Sequence, residues 1–211
     1  MKLTALTASA VATLSALVMA PAASASVTVI TNQTVWNIYS ASQGATTATE
    51  TFDGFPDGYG GASASGTAGG TSWTATSEGG LYFGLVNGSN AISTLFSNTT
   101  VNSSINFTFA PGVQGIGGEF FGLDENFNVM LASITVILGD GTSYTNEMNS
   151  ATSFVGFYSN GAAISSMSVS TSTANMYPAV GNLYFATVPA PGAIAMLCLS
   201  GITSARSRRQ R

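Results

Sequence analysis

Chemistry in this chain has to come from carboxylates, because the usual partners of carboxylates are missing. There is no histidine, and the single cysteine, Cys198, lies close to the C-terminus. The five basic residues also sit at the ends, Lys2 at the start and Arg206, Arg208, Arg209 and Arg211 at the finish. Ser-His-Asp triads, Cys-His dyads, histidine-ligated zinc, Schiff-base lysines and arginine clamps are therefore all excluded from the interior. Two acids acting alone remain, as in glycoside hydrolases whose carboxylates stand roughly 5 to 10 Å apart. Glu119 and Asp124, beside Phe120, Phe121 and Phe127, form the best such pair. Acids on a strand and its following loop are more often solvated, so no catalytic residue is assigned and the chain is read as non-enzymatic.

Two other chemistries are open to these residue types. Hard cations take carboxylate and carbonyl oxygens, and Asp124, Glu125, Asn126 and Asn128 make an oxygen-rich loop that suits calcium. The same residues equally make a polar turn with no ion, and the spacing is not that of an EF-hand. Sugar rings stack on exposed aromatics, for which Trp73 and Tyr82 are the candidates among Trp36, Tyr59, Tyr158 and others. Trp73 alternates with hydroxyl residues in Thr71-Ser72-Trp73-Thr74, a pattern that serves a core-facing or a solvent-facing ring.

The distribution of charge narrows the partners. All nine acids (Glu50, Asp53, Asp57, Glu78, Glu119, Asp124, Glu125, Asp140 and Glu147) lie between Lys2 and Arg206, where there is no base, so the interior carries a formal charge of -9. A segment without Lys or Arg cannot neutralise phosphates, which argues against nucleic acid and anionic lipid headgroups as ligands. Intrachain disulfides are impossible with one cysteine. A domain of this length has no need of them for stability.

The ends read as export signals. Residues 1–25 combine Lys2, an apolar stretch over residues 3–19, Pro21, and the small residues Ala23-Ser24-Ala25, which predicts a signal peptide cleaved between Ala25 and Ser26. At the other end Val188-Pro189-Ala190-Pro191-Gly192 precedes an apolar run over residues 193–202 and the cluster Arg206, Arg208, Arg209 and Arg211. The run is shorter than the roughly 20 residues that span a bilayer comfortably, while the arginines favour the cytoplasmic side. Together they suggest a short hydrophobic helix making transient contact with the inner membrane.

These last residues, from Val188 onward, resemble the PEP-CTERM sorting signal of bacteria, a Pro-x-Pro motif followed by a hydrophobic helix and terminal arginines. Ala190 stands where that motif usually has Glu. The resemblance implies processing by an exosortase-type enzyme and delivery to the cell surface or the exopolysaccharide matrix.

Between the ends, short β-branched and aromatic runs alternate with Gly, Asn, Asp and Ser clusters, which predicts strands at residues 27–30, 71–76, 81–86, 105–109, 133–138, 153–157, 164–169 and 182–185. Gly139-Asp140-Gly141 predicts a hairpin. Residues 33–40 offer the one helical candidate, and the Gly, Ala, Ser and Thr of residues 59–70 read as a long exposed loop. The expectation is an all-β fold, a single jelly-roll-like β-sandwich over residues 26–187, preceded by the signal peptide at 1–25 and followed by the tail at 188–211.

Phe121-Gly122-Leu123-Asp124, Phe154-Val155-Gly156-Phe157 and Gly181-Asn182-Leu183 are similar to strands of the passenger domains found ahead of such tails, with Gly181 in place of an expected Asp. Those domains resemble carbohydrate-binding jelly rolls, in which an early acidic strand and a closing Asp-Asn share a structural calcium ion. The resemblance implies calcium at Glu50, Asp53 and Asn182; no other cofactor is expected. The functional expectation is an exported, non-enzymatic surface or matrix protein contacting exopolysaccharide or neighbouring copies. The alternatives are a carbohydrate-binding module with a discrete sugar site and, more remotely, a glycosidase dependent on Glu119.

Overall fold

The computed structural model describes residues 26–94 and 104–188. The signal-peptide cleavage residue Ala25, the motif residues from Pro189 onward, the apolar run and the arginine cluster lie outside the described residues. Among the described residues no helix is long and apolar enough to cross a membrane.

The described residues form thirteen strands and one helix: β1 (Val27–Ile30), α1 (Gln33–Ser42), β2 (Thr46–Glu50), β3 (Gly58–Ala68), β4 (Thr71–Val86), β5 (Ser89–Thr94), β6 (Ile105–Phe109), β7 (Val113–Leu123), β8 (Val129–Met130), β9 (Ala132–Leu138), β10 (Ser143–Met148), β11 (Phe154–Ser159), β12 (Ser166–Thr171) and β13 (Tyr177–Thr187). All pair antiparallel in one sheet ordered β1-β11-β7-β13-β5-β4-β6-β12-β9-β10, with β2 added on β13, β3 on β4 and β8 on β7. The sheet folds over on itself as the expected all-β sandwich, and the inward side chains of both layers bury one continuous core that includes Phe52, Trp73, Phe107, Phe120, Phe157 and Phe185. Alternation explains the burial: in Ile105-Asn106-Phe107-Thr108-Phe109 the apolar residues face in and the polar ones out.

Residues 59–68 are strand and 69–70 its turn, not the long loop that their composition suggests. β3 pairs along β4 from Gly58↔Phe83 to Ala68↔Thr71. Its small residues complement the aromatics of its partner: a Cβ on Gly60 would collide with the Phe83 ring, and one on Gly66 with the Trp73 indole. Large rings on β4 thus lie over the bare backbone of β3, a packing that needs glycine at those positions. The connecting turn is Gly69-Gly70, both at positive φ, the geometry of a tight hairpin.

The two runs at 71–76 and 81–86 are one strand as well. Between Gly61↔Leu81 and Ser63↔Thr76 the register shifts, leaving residues 77–80 of β4 as a bulge with Gly80 at φ 85. The bulge turns the strand, so its first half pairs β6 and its second half pairs β5. β5 also pairs β13, and this closes one side of the sandwich.

The helix is where the sequence placed it. Asn32 caps it, its side chain accepting a 3.0 Å hydrogen bond from Val35 N. Trp36 enters a separate cluster with Tyr158, Tyr184 and Ala186 on the outer face of β7, β11 and β13. Gly156 makes room for it, because a Cβ there would collide with the indole.

Candidate functional site

One end of the sandwich carries a cleft built from three loops and the face of a sheet. Its floor is a second apolar cluster, Val86, Ala91, Phe121, Leu123 and Ala179, on the side of β5, β7 and β13 that faces away from the main core. The β4–β5 hairpin forms one wall. Its turn is Asn87-Gly88, with φ of 53° and 84°, the two-residue Asn-Gly turn suited to a twisted antiparallel pair. The β7–β8 loop forms another wall and the segment after β10 a third. Three adjoining cavities of about 280, 120 and 570 Å³ share Val86 in their lining.

The first cavity is aromatic. Tyr82 and Phe127 line it with Asp57 and Leu85. Tyr82 stacks on Phe127 with centroids 4.7 Å apart, and Phe127 continues onto Tyr177 at 6.0 Å. Phe127 has φ 60°, a left-handed conformation that costs a non-glycine residue on the order of 1–2 kcal/mol. Asp124 holds the loop in this shape. One of its carboxylate oxygens accepts from the backbone N–H of Asn126 (2.9 Å) and of Asn128 (2.8 Å), and the other from the Asn128 amide (3.1 Å). These bonds, chiefly the one from the Asn128 backbone, hold the Asp124 carboxyl below the ordinary carboxylate range. The loop is thus a polar turn whose acid already receives three protein donors.

The other two cavities are lined by amides. Asn87 borders both, joined by Asn90, Glu119 and Thr152 in the smaller one and by Asn126, Asn128 and Asn149 in the larger. An amide side chain donates and accepts at once, which matches the hydroxyls of a sugar. No cation lies near, because residues 26–188 contain none.

The structure sorts the residues singled out from the sequence. Trp73 is buried, 2% exposed, inside the main core, and its indole N–H donates to Glu50 Oε2 at 2.8 Å. Its assignment as a sugar-stacking residue is therefore corrected: the β4 alternation turns it inward, and neither face is available. Tyr82, on the opposite side of the same strand, lines the cleft. Tyr158 and Trp36 are buried, whereas Phe120 belongs to the core and Phe121 to the cleft floor.

The residues proposed for calcium are turned to separate partners. Glu50 accepts from Trp73 and, through Oε1, from the Phe52 backbone N–H at 2.9 Å. Asp53 accepts from Asn90 and Thr51. Asn182 instead donates from its amide to Glu119 Oε2 at 2.9 Å. A carboxylate receiving N–H donors on both oxygens, and an amide spending its N–H on another acid, do not fit one shared cation. Among the described residues no group of three or more His, Cys, Asp or Glu converges as a metal site.

Glu119 has a structural task. The β7–β13 register shifts between Val180 and Leu183, so Gly181 and Asn182 bulge opposite it. The Glu119 carboxylate accepts from the Asn182 backbone N–H (3.2 Å) as well as its side chain, supplying the acceptor that the interrupted ladder lacks. Gly181 gives it room, since a Cβ there would stand 3.1 Å from Glu119 Oε2. This is why glycine suits position 181.

The cleft lies at the opposite end of the sheet from the start of β1 and the end of β13. Val27↔Ser159, Tyr158↔Gly115 and Thr187↔Val113 align the start of β1 and the end of β13 with the start of β7. Leu123↔Tyr177 marks the cleft end. At about 3.4 Å per residue, β7 separates the two by roughly 30 Å. Ser26 and Val188, at the end opposite the cleft, are both exposed.

Fold and cleft together define an acidic all-β sandwich with an aromatic and amide-lined groove. No protein-family model matches the chain, and no curated protein is significantly similar to it.

Proposed function

We propose that the chain is an exported, non-enzymatic surface or extracellular-matrix protein, sorted through its C-terminal tail by an exosortase-type system, whose sandwich binds exopolysaccharide in the cleft. The observation that carries the binding part is the Tyr82-Phe127-Tyr177 row set beside Asn87, Asn126 and Asn149. Apolar ring surface and bifunctional amides are the two elements a sugar chain needs.

The position of the cleft supports the sorting part. A protein held by its C-terminus presents this cleft away from the membrane, about one strand length from the tether. Ser26 and Val188, the described residues that flank the expected processing sites, are exposed, Val188 at 38%.

The test has two arms. Intact-mass spectrometry of protein from surface and medium fractions should give a species beginning at Ser26 and ending within Val188–Gly192. Retention of Arg211 in a membrane fraction would sink the sorting reading. A glycan array should show hits that Tyr82→Ala and Phe127→Ala abolish, and an array with no hits would sink the binding reading.

A further inference from the structure

We infer that the cleft selects an uncharged polyhydroxyl glycan and rejects acidic polysaccharides, and that Asp57 and Glu119 set this selectivity. This inference rests on the glycan-binding reading above and specifies its ligand.

Charge is the first argument. Asp57 lines the aromatic cavity and Glu119 the smaller amide cavity. No Lys, Arg or His occurs in residues 26–188 to offset either one. An incoming carboxylate or sulfate would therefore lose hydration in a uniformly negative field and gain no counter-charge. Proteins that hold acidic polymers rely on Arg or Lys, whose charged, directional donors fit anionic oxygens.

Hydrogen-bond capacity is the second. The side-chain amides of Asn87, Asn126 and Asn149 border the largest cavity, and make no hydrogen bond to other described residues. Each offers two N–H donors and a carbonyl acceptor. Sugar hydroxyls also donate and accept, so both halves of every amide are used. A carboxylate only accepts, so wherever it stands in place of a hydroxyl the amide carbonyl facing it loses its donor.

Calcium bridging would be the way around this exclusion. The acids do not form a cation site, since the Glu119 carboxylate is taken by Asn182 and the Asp124 carboxylate by its own loop.

The experiment titrates the purified full-length chain with a neutral β-glucan, a polyuronate and an amine-bearing deacetylated aminoglycan, with calcium and with EDTA, at low and high salt. Binding of the neutral polymer, unchanged by EDTA and nearly flat with salt, is the expected result. Polyuronate should bind at least roughly tenfold more weakly, and Asp57→Asn with Glu119→Gln should narrow that gap about threefold or more. Preference for polyuronate, with or without calcium, overturns the inference but leaves glycan binding standing. Preference for the amine-bearing polymer that collapses with salt overturns it equally. If none of the three binds, the glycan-binding reading fails and the inference with it.

Discussion

The indole N–H of Trp73 donates to Glu50 Oε2 at 2.8 Å. One of these residues is a sugar-stacking candidate in the sequence and the other a calcium candidate, and in the fold each satisfies the other. Glu50 also accepts from Phe52 N, and Phe52 sits at φ 58° against the same indole. A carboxylate thus fixes the turn after β2 and anchors the largest side chain of β4.

Removing that acceptor should destabilise the sandwich. Glu50→Ala leaves the buried Trp73 N–H without a partner, at about 1–3 kcal/mol, or about 2–4 °C in Tm for each kcal/mol in a domain of this size. Glu50→Gln keeps an acceptor and should recover most of the loss. Thermal melts followed by tryptophan fluorescence decide the matter, and an unchanged Tm in Glu50→Ala would show that the bond contributes nothing.

Phe127 should separate binding from stability. Phe127→Gly removes the ring but relieves the left-handed backbone, so about 1–2 kcal/mol of strain offsets part of the lost stacking, about 0.5–1.5 kcal/mol, and of the lost partial burial on the cleft floor. Tm should fall by only a few degrees, while affinity for any glycan found to bind should fall tenfold or more. A variant that keeps full affinity would remove Phe127 from the site.

Gly156 should tolerate nothing larger. In Gly156→Ala the new methyl meets the Trp36 indole, and overpacking of this kind costs about 1–3 kcal/mol. The expected sign is a lower Tm with changed near-ultraviolet circular dichroism, since Trp36 also contacts Phe154 and Tyr184. Combining Gly156→Ala with Trp36→Leu should restore part of the loss.

Alkaline stability should be set by Tyr158 and Tyr184. Burial pushes both phenols above their ordinary value, reinforced by Tyr39 for the first and by Glu119 for the second. A raised folded-state value favours the neutral phenol in the native protein. The resulting stability is complete below the unfolded tyrosine value near 10, and is lost as pH rises through the folded values. Absorbance at about 295 nm should show these two ionising above the unfolded tyrosine value, together with unfolding. Ionisation of Tyr158 and Tyr184 at the ordinary value, about 10, would contradict this.

Acid should act on the β7–β8 loop. The folded-state value of Asp124 is depressed, so its contribution is present above the unfolded carboxylate value and is lost as pH falls through the folded one. Carboxyl carbon chemical shifts should place the Asp124 midpoint below the ordinary aspartate value, with loss of the Tyr82-Phe127 contact tracking it. A midpoint at the ordinary value would refute the role of the Asn128 donors.

The sequence by itself determined that residues 26–188 carry no chemistry needing His, Lys, Arg or Cys, because a residue type missing from a segment is missing from it in every conformation. It also determined the all-β class, the helix after Asn32 and the hairpin at Gly139-Asp140-Gly141, since alternation, capping and turn chemistry act over a few residues. Asn87-Gly88 and Gly69-Gly70 were equally local signals for two further hairpins, and would have identified β3 and β5 as strands. Tertiary structure alone decided which face of β4 is buried, and so that Tyr82 rather than Trp73 borders the cleft. A period-two pattern marks two faces without saying which one a partner layer covers. It alone brought Asn182 to Glu119 instead of Glu50, because the bulge opposite Glu119 depends on pairing between strands some sixty residues apart in sequence. The cleft itself joins the β4–β5 hairpin, the β7–β8 loop and the segment after β10, and only the order of strands in the sheet sets those three side by side.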